Sequence, residues 1–432
     1  MITDALNRTF LLMRTDLAQG VADEVLLDAL RSTRVVIAAD KSTLSTHSGQ
    51  SAFVTAATLM ARSGHSVWLA APEVGLIGAQ PPLRGEALIA GLLDLGEDLL
   101  PGWTFEIGPL PTEVDLTMVF GEPVLEHCSQ ATLFANARDW SGRLSGRASA
   151  WSGASWPIGG LTAAVLGAGE AFKAALRKLR RFAKSPALFD ELYAAAPAAE
   201  VELAPELTKQ VSALGRFDMV SAGAIGNALF HVLLRLPRVS GTAQVLDDDE
   251  SNLSNLNRNV LLRRSRLNWS KVEDIASYAD GLAISPVARR FGSGGPDELD
   301  LADVVLVGVD HIPSRWAAQR TRPHWLGIGA TERFAVQVSF HEEGMACAQC
   351  LHPNDAPLDG EIPTAAFVSY WAGLLLAASL LRFLSGPRRD DEQQTYFPTL
   401  RPEGWRFAHS CLWPRAECPT CSAWRSLAAE GR

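Results

Sequence analysis

A glycine turn set between a strand and an apolar helix, with an acid closing the next strand, constrains this chain more than any other feature. The short run 217–220 leads into Ser221-Ala222-Gly223-Ala224-Ile225-Gly226, then into a predicted helix from about 227 to 236. A second predicted strand, 243–246, ends on Asp247. This order makes one βαβ unit of a doubly wound sheet, and a further buried strand, 303–309, ends on Asp310. Such sheets place ligands at the carboxyl ends of their parallel strands. Taken alone, Gly223-x-x-Gly226 equally reads as a tight turn packing a helix on a sheet. Its context aims the backbone N–H groups of the helix start at a phosphate.

The stretch after the second strand, Asp247-Asp248-Asp249-Glu250-Ser251-Asn252-Leu253-Ser254-Asn255-Leu256-Asn257-Arg258, carries the chemistry, and Lys271 trails it. Asp247 is placed to bond ribose hydroxyls, and Asp249 to help hold Mg²⁺ or shape the loop. Asn255 and Arg258, three apart, share one face of a short turn. Lys271 precedes Val272-Glu273 at the start of a predicted helix; its bland alternative is a surface lysine. Asp310, with Arg315 behind it, offers hard oxygens for Mg²⁺. A nicotinamide enzyme needs the ribose acid but not the Arg and Lys, whereas a triphosphate needs both. The chain is therefore expected to use ATP.

The 432 residues, 47% of them hydrophobic, suffice for two or three domains with real cores. A net charge of -9 argues against a nucleic-acid partner. The basic run Arg177-Lys178-Leu179-Arg180-Arg181 is expected to be the solvated end of a helix. Residues 364–381 carry no charge and approach the length of a membrane span. Ser369, Gly373 and Ser379 dilute them and Arg382 follows at once, so a buried core helix is expected and no membrane. Residues 1–12 contain Asp4 and Arg8 and lack a signal-peptide core.

The N-terminal half reads as a worn copy of the same α/β design: strand 34–39 ending on Asp40, helix 49–63, strand 65–71, strand 115–121 and an Ala/Leu helix from 156 to about 176. No glycine turn follows Asp40 at the right spacing, and no Asn-x-x-Arg follows Ala71. Two tandem Rossmann-like doubly wound sheets are expected: an inactive pseudo-repeat over 1–184, a linker over 185–209 with some helix, and the active domain over 210–432. An unrelated α/β domain is the bland alternative for the first half. Residues 292–300 and 386–394 are expected as exposed loops.

Residues 210–425 resemble the ThiF/MoeB adenylyltransferases and the related ubiquitin-activating enzymes. The family pattern stands here as Gly223/Gly226, Asp247/Asp249, Ser254-Asn255-Leu256-Asn257-Arg258, Ser270-Lys271-Val272-Glu273, and Asp310-His311 with Arg315. The resemblance implies that Asp247 binds ribose, Arg258 and Lys271 bind the triphosphate, Asn255 supports it, and Asp310 binds Mg²⁺. Gly223, Ala224, Gly226, Asp249 and His311 complete the implied nucleotide site. Arg258, Lys271 and Asp310 are the implied catalytic groups. Ser221 and Ala224 depart from the glycine turn and are expected to trim affinity. His311 replaces the usual Asn and leaves the adenine-side contact open. In ubiquitin-activating enzymes an inactive partner can reach an Arg into the ATP site. Arg8 and Arg14, on a predicted N-terminal helix, are the candidates here.

Six cysteines in so long a chain are too few for a disulfide scaffold. Cys347-Ala-Gln-Cys350 and Cys418-Pro-Thr-Cys421 form a four-thiolate set with no open position, the pattern of structural Zn²⁺ in a reducing, cytoplasmic compartment. That ion is expected to pin the C-terminal segment onto the crossover loop. The loop 351–363, where many relatives carry a catalytic thiol, has no Cys. Cys128 and Cys411 remain; Cys411 lies beside His409 and Arg415, cations that favour a thiolate. It is the candidate thioester residue, with a spare thiol near zinc as the alternative.

The resemblance thus implies ATP·Mg²⁺-dependent adenylation of the C-terminal tail of a small ubiquitin-like or sulfur-carrier-like protein. Transfer to a thiol, here or on a conjugating-enzyme partner, would follow. A conjugation operon serving antiviral defence is the implied setting, and homo-oligomerisation stays open. The first rival adenylates a ribosomal precursor peptide, with the N-terminal half as a peptide clamp. The second is a zinc-stabilised scaffold without catalysis.

Overall fold

The computed structural model describes residues 2–125, 127–153, 155–196, 198–204, 210–291, 301–354, 360–386, 393–401, 408–410 and 412–421. The first lobe holds strands β1 (Arg34–Ala39), β2 (Ser66–Ala70), β3 (Leu116–Phe120), β4 (Thr132–Ala137), β5 (Ser141–Ser145) and β6 (Ala199–Glu202). They form one sheet in the order β2-β1-β3-β4-β5-β6, parallel as far as β4 and antiparallel beyond it. The second lobe holds β7 (Ala213–Val220), β8 (Ser240–Leu246), β9 (Leu282–Val287), β10 (Val304–Val307), β11 (Trp325–Glu332), β12 (Ala335–His341), β13 (Gln394–Pro398) and β14 (Ala408–Ser410). Their order is β14-β13-β12-β11-β10-β7-β8-β9, parallel from β9 through β11 and antiparallel from β11 through β14.

The two orders superimpose: β2-β1-β3-β4-β5-β6 runs as β8-β7-β10-β11-β12-β13 does. The first sheet has no counterpart to β9 or β14 among the described residues. The two α/β sheets expected from the sequence are therefore present. The predicted linker needs correction. Its helix exists as Pro186–Leu192, but Ala199–Glu202 alternates buried and exposed residues and pairs with β5. The segment thus completes the first sheet.

The predicted helix 227–236 begins earlier, as Ala224–Leu233, directly on the glycine turn. The basic run 177–181 does close the helix Ile158–Arg177, with Lys178, Arg180 and Arg181 exposed, and its cations are all engaged. Arg177 bonds the Tyr193 carbonyl, Lys178 pairs with Asp115, Arg180 with Asp190, and Arg181 lies over the Phe182 ring. The expected loop 292–300 and most of 386–394 lie outside the described residues.

The lobes meet through their helices. His47–Arg62 and Ile158–Arg177 cover the first sheet, and Ala224–Leu233 and Ala366–Ser385 cover the second. Phe172 stacks tilted on Phe367 across the boundary, with centroids 5.2 Å apart, and one apolar cluster runs through both lobes. At Gly373 a Cβ would come 2.4 Å from the Ala228 Cβ, so the helices of the second lobe touch there with no room for a side chain. Among the described residues Ala366–Ser385 is the one helix long and apolar enough to cross a membrane. Of its most apolar stretch, 78% is buried inside the fold.

Candidate nucleotide and zinc sites

A cleft of about 530 Å³ opens at the carboxyl ends of β7, β8 and β10. That is the switch point where the chain leaves β8 and β9 for β10 on the other side of β7. The volume suits a nucleotide-sized ligand. Asp247, Asp249, Asn255, Arg258, Lys271, Asp310 and His311 all line it, together with Gly223 and Ala224. Side chains spread over 65 positions (311 − 247 + 1), from Asp247 to His311, thus converge on one space.

The glycine turn explains its departures. Ser221 adopts φ 99°, a left-handed conformation that costs a residue with a Cβ. Its Oγ accepts the Gly223 N–H at 3.0 Å, which offsets part of that strain. Gly226 has no such freedom: a Cβ there would lie 2.3 Å from the Ser221 carbonyl oxygen.

Asp247 accepts the N–H groups of Ala222 (2.8 Å) and Asp249 (2.9 Å). Burial raises its pKa, against the pull of Lys271. Lys271 is only 8% exposed, so it is no surface lysine, and its ammonium pairs with Asp249. Asp249 therefore balances Lys271. Asn255 lines the cleft, but its Oδ1 accepts the Asn252 N–H at 2.9 Å, so it also shapes the loop. The Arg258 guanidinium donates to the Ser254 carbonyl and to Asn257 Oδ1. Burial and then the neighbouring Arg8 bring its pKa down to about 10.

Asp310 lies at the cleft just beyond β10. His311 caps the next helix and shares a 2.9 Å bond with Ser314. Arg315 lies in the wall, donating to the Val309 carbonyl at 2.8 and 3.0 Å and to His352 Nε2 at 3.1 Å.

Of the two N-terminal arginines, Arg8 reaches the cleft, held by Glu361 at 3.4 Å and the Ile362 carbonyl at 3.3 Å. Arg14 does not: it is engaged with Asp23 and the Val21 carbonyl, because the turn after the helix Asn7–Met13 points it back on its own segment. The cleft also contains Arg290, Phe291 and Glu361, which sequence reading missed. Only Gly308 had a local signal, a glycine at the end of a buried strand. A Cβ there would meet Met219 at 2.9 Å.

In the first lobe an acid stands at the equivalent strand end. Asp40, at the end of β1, accepts the Thr43 N–H (2.7 Å) and the Glu122 N–H (2.5 Å). Its carboxylate takes the donors that a phosphate would need.

The four zinc-type thiols form a compact cluster: Cys347–Cys418 and Cys350–Cys421 lie 3.4 Å apart, and Cys347–Cys350 3.8 Å, sulfur to sulfur. A tetrahedron of Zn–S bonds near 2.3 Å has edges of roughly 3.8 Å, so the donor set fits Zn²⁺. Cys347 and Cys350 flank and belong to the helix Ala348–Leu351, which is tied to Thr420 by a Thr420–Gln349 bond (2.7 Å) and to Trp316 through the His352 carbonyl (2.9 Å). Zn²⁺ held there would fasten 412–421 against the wall that contains Arg315. Cys128 is exposed, and Cys411 lies outside the described residues.

A ThiF family model matches residues 201–420, and a BilD N-terminal domain model matches residues 34–188. The chain belongs to the ThiF family. The uncharacterized protein y4jF of Sinorhizobium fredii is 27% identical over 233 residues, 51% of this chain and 44% of that protein. The SAMP-activating enzyme E1 of Haloferax volcanii is 29% identical over 159 residues, 35% of this chain and 58% of that enzyme. The chain spans about half the length of these curated relatives. Among solved structures, Escherichia coli MccB with ATP aligns with 60% of this chain and 85% of its own, at 16% identity and a TM-score of 0.39.

Proposed function

We propose that this protein adenylates the C-terminal carboxylate of a small ubiquitin-like or carrier-like protein at the expense of ATP. One observation carries the reading: Asp247, Arg258, Lys271 and Asp310 line a single cleft at the switch point of the second sheet, and Arg8 enters it from the other lobe. The resemblance to the SAMP-activating enzyme E1 of Haloferax volcanii favours the same chemistry. In this reading Asp247 accepts the ribose hydroxyls. Arg258, Lys271 and Arg8 neutralise the triphosphate, and Asp310 supplies the oxygen ligand that Mg²⁺ would require. A carboxylate oxygen of the tail attacks the α-phosphorus, the bond to the bridging oxygen of the β-phosphate breaks, and pyrophosphate leaves with the electron pair. The protein contributes positioning and charge neutralisation.

The second reading, a precursor peptide as the acceptor of AMP, is favoured by the absence of any Cys from 351–363. An adenylate formed in this cleft has no thiol on that loop to receive it. Pyrophosphate exchange with purified candidates separates the two. Exchange that depends on a folded protein with a Gly-rich tail supports the first reading, and exchange with a short peptide alone supports the second. No exchange and no ATP binding would reduce the chain to a zinc-stapled scaffold. Handover to Cys411 or to a conjugating partner, a cytoplasmic setting and a part in antiviral defence remain extensions of this proposal.

A further inference from the structure

The segment 254–265, which brings Arg258 to the cleft, is gripped by side chains of the first lobe. Arg62, the last residue of the helix His47–Arg62, is fully buried. Its guanidinium donates to the carbonyl oxygens of Leu256 (2.6 Å), Val260 (3.0 Å) and Leu262. Those carbonyls bracket Arg258 on both sides. Beside it, Asn257 Nδ2 donates to Thr9 Oγ1 at 2.8 Å, with both residues fully buried. At the far end, the Arg264 and Ser265 N–H groups each donate at 2.7 Å to Asp98, one to its carbonyl and one to its carboxylate. Arg263 pairs with Asp94 at 2.6 Å.

A buried cation is costly when apolar packing alone would serve to join two lobes. Burial brings the Arg62 pKa down to about 9, yet the charge faces carbonyls instead of a carboxylate. A rigid planar fork bonded to the carbonyls of residues 256, 260 and 262 fixes a backbone path in a way a flexible ammonium cannot. Just after the helix begun by Lys271, the Tyr278 hydroxyl donates to the Leu261 carbonyl at 2.9 Å, which ties that helix to the same segment. The element begun by Lys271 is therefore joined to the segment that Arg62 grips.

We propose that Arg62 is a positioning residue for the nucleotide site, and that the first lobe acts in cis as a clamp that presets the loop carrying Arg258. This deepens the ATP reading and rests on it. The test compares full-length Arg62→Met, Arg62→Lys and Arg235→Met. Arg235 is as buried as Arg62 and also crosses the lobe boundary, but its guanidinium bonds go to Gln80, His231 and Pro81 and, among the described residues, none goes to 254–265. ATP affinity is read by calorimetry and folding by thermal melting.

Arg62→Met should weaken ATP binding by about tenfold or more. Arg235→Met, at a comparable loss of Tm, should stay within about twofold of the parent. Arg62→Lys should recover part of the affinity. Thr9→Val and Asp98→Asn, gentler cuts in the same clamp, should also weaken ATP binding and serve if Arg62→Met does not fold. The proposal is overturned if the clamp variants bind ATP as Arg235→Met does. If the unaltered chain binds no ATP, the nucleotide reading falls first and this one with it.

Discussion

Arg258→Met separates a phosphate ligand from a structural guanidinium. Burial and Arg8 hold the Arg258 pKa near 10 against an ordinary 12.5. At about 1.4 kcal/mol for each tenfold change, the folded, empty protein carries that charge at a cost of roughly 3 kcal/mol. The charged form is the one folding disfavours. The penalty is therefore present in full at neutral pH and fades only as pH rises from about 10 toward 12.5. Against it stand the bonds to Ser254 and Asn257, worth about 1 kcal/mol each. Removing the guanidinium should leave the empty protein as stable as before, or more stable by about 1 kcal/mol. ATP relieves the same penalty by supplying anionic oxygens, so the variant should lose roughly 3 kcal/mol of binding, about a hundredfold in Kd. Calorimetry with ATP and a thermal melt of the unliganded protein measure the two sides. A fall of many degrees in Tm with ATP binding unchanged would show that Arg258 holds the loop and no phosphate.

Other variants probe the remaining links. Arg8→Ala should raise the KM for ATP in pyrophosphate exchange by about tenfold, whereas Arg14→Ala, away from the cleft, should not; equal effects would dissolve the distinction between them. Cys418→Ser should abolish stoichiometric zinc, read by elemental analysis, and lower Tm by several degrees; full zinc content in that variant would refute the four-sulfur site. His65 is fully buried and held down to about 4, so between pH 6.5 and 4 the unfolded chain gains a proton that the folded chain refuses. Stability should therefore fall on acidification across that window, and His65→Phe should flatten part of the slope; superimposable Tm–pH curves would sink this assignment.

Much of the cleft was legible because its parts sit at strand ends, where a short apolar run, a glycine turn and an acid coincide. Asp247 and Asp310 each follow from that local order, whereas Lys271, at the start of the helix Lys271–Ala276, stood out through the family pattern. Arg62, Asp98 and Glu361 do not, since each acts on a partner at least 160 positions away and has no neighbouring pattern to mark it. The sequence separated Arg8 from Arg14 no better, because the difference lies in how the turn after Met13 points a side chain. The strand Ala199–Glu202 reads as linker because four residues rich in Ala and Glu carry almost no strand preference. The edge of β5 recruits them. Both zinc pairs were visible from spacing alone, but their link to Arg315 through His352 is a matter of tertiary contact.

The continuous apolar seam has a consequence for synthesis. Phe172 leaves the ribosome 195 residues (367 − 172) before Phe367, the ring that covers it. At translation rates of about 5–20 residues per second, the nascent N-terminal lobe waits roughly 10–40 seconds with that surface bare. Until its cover arrives, the growing polypeptide is a natural client for chaperones. An expression host poor in them should yield inclusion bodies in place of half-built enzyme.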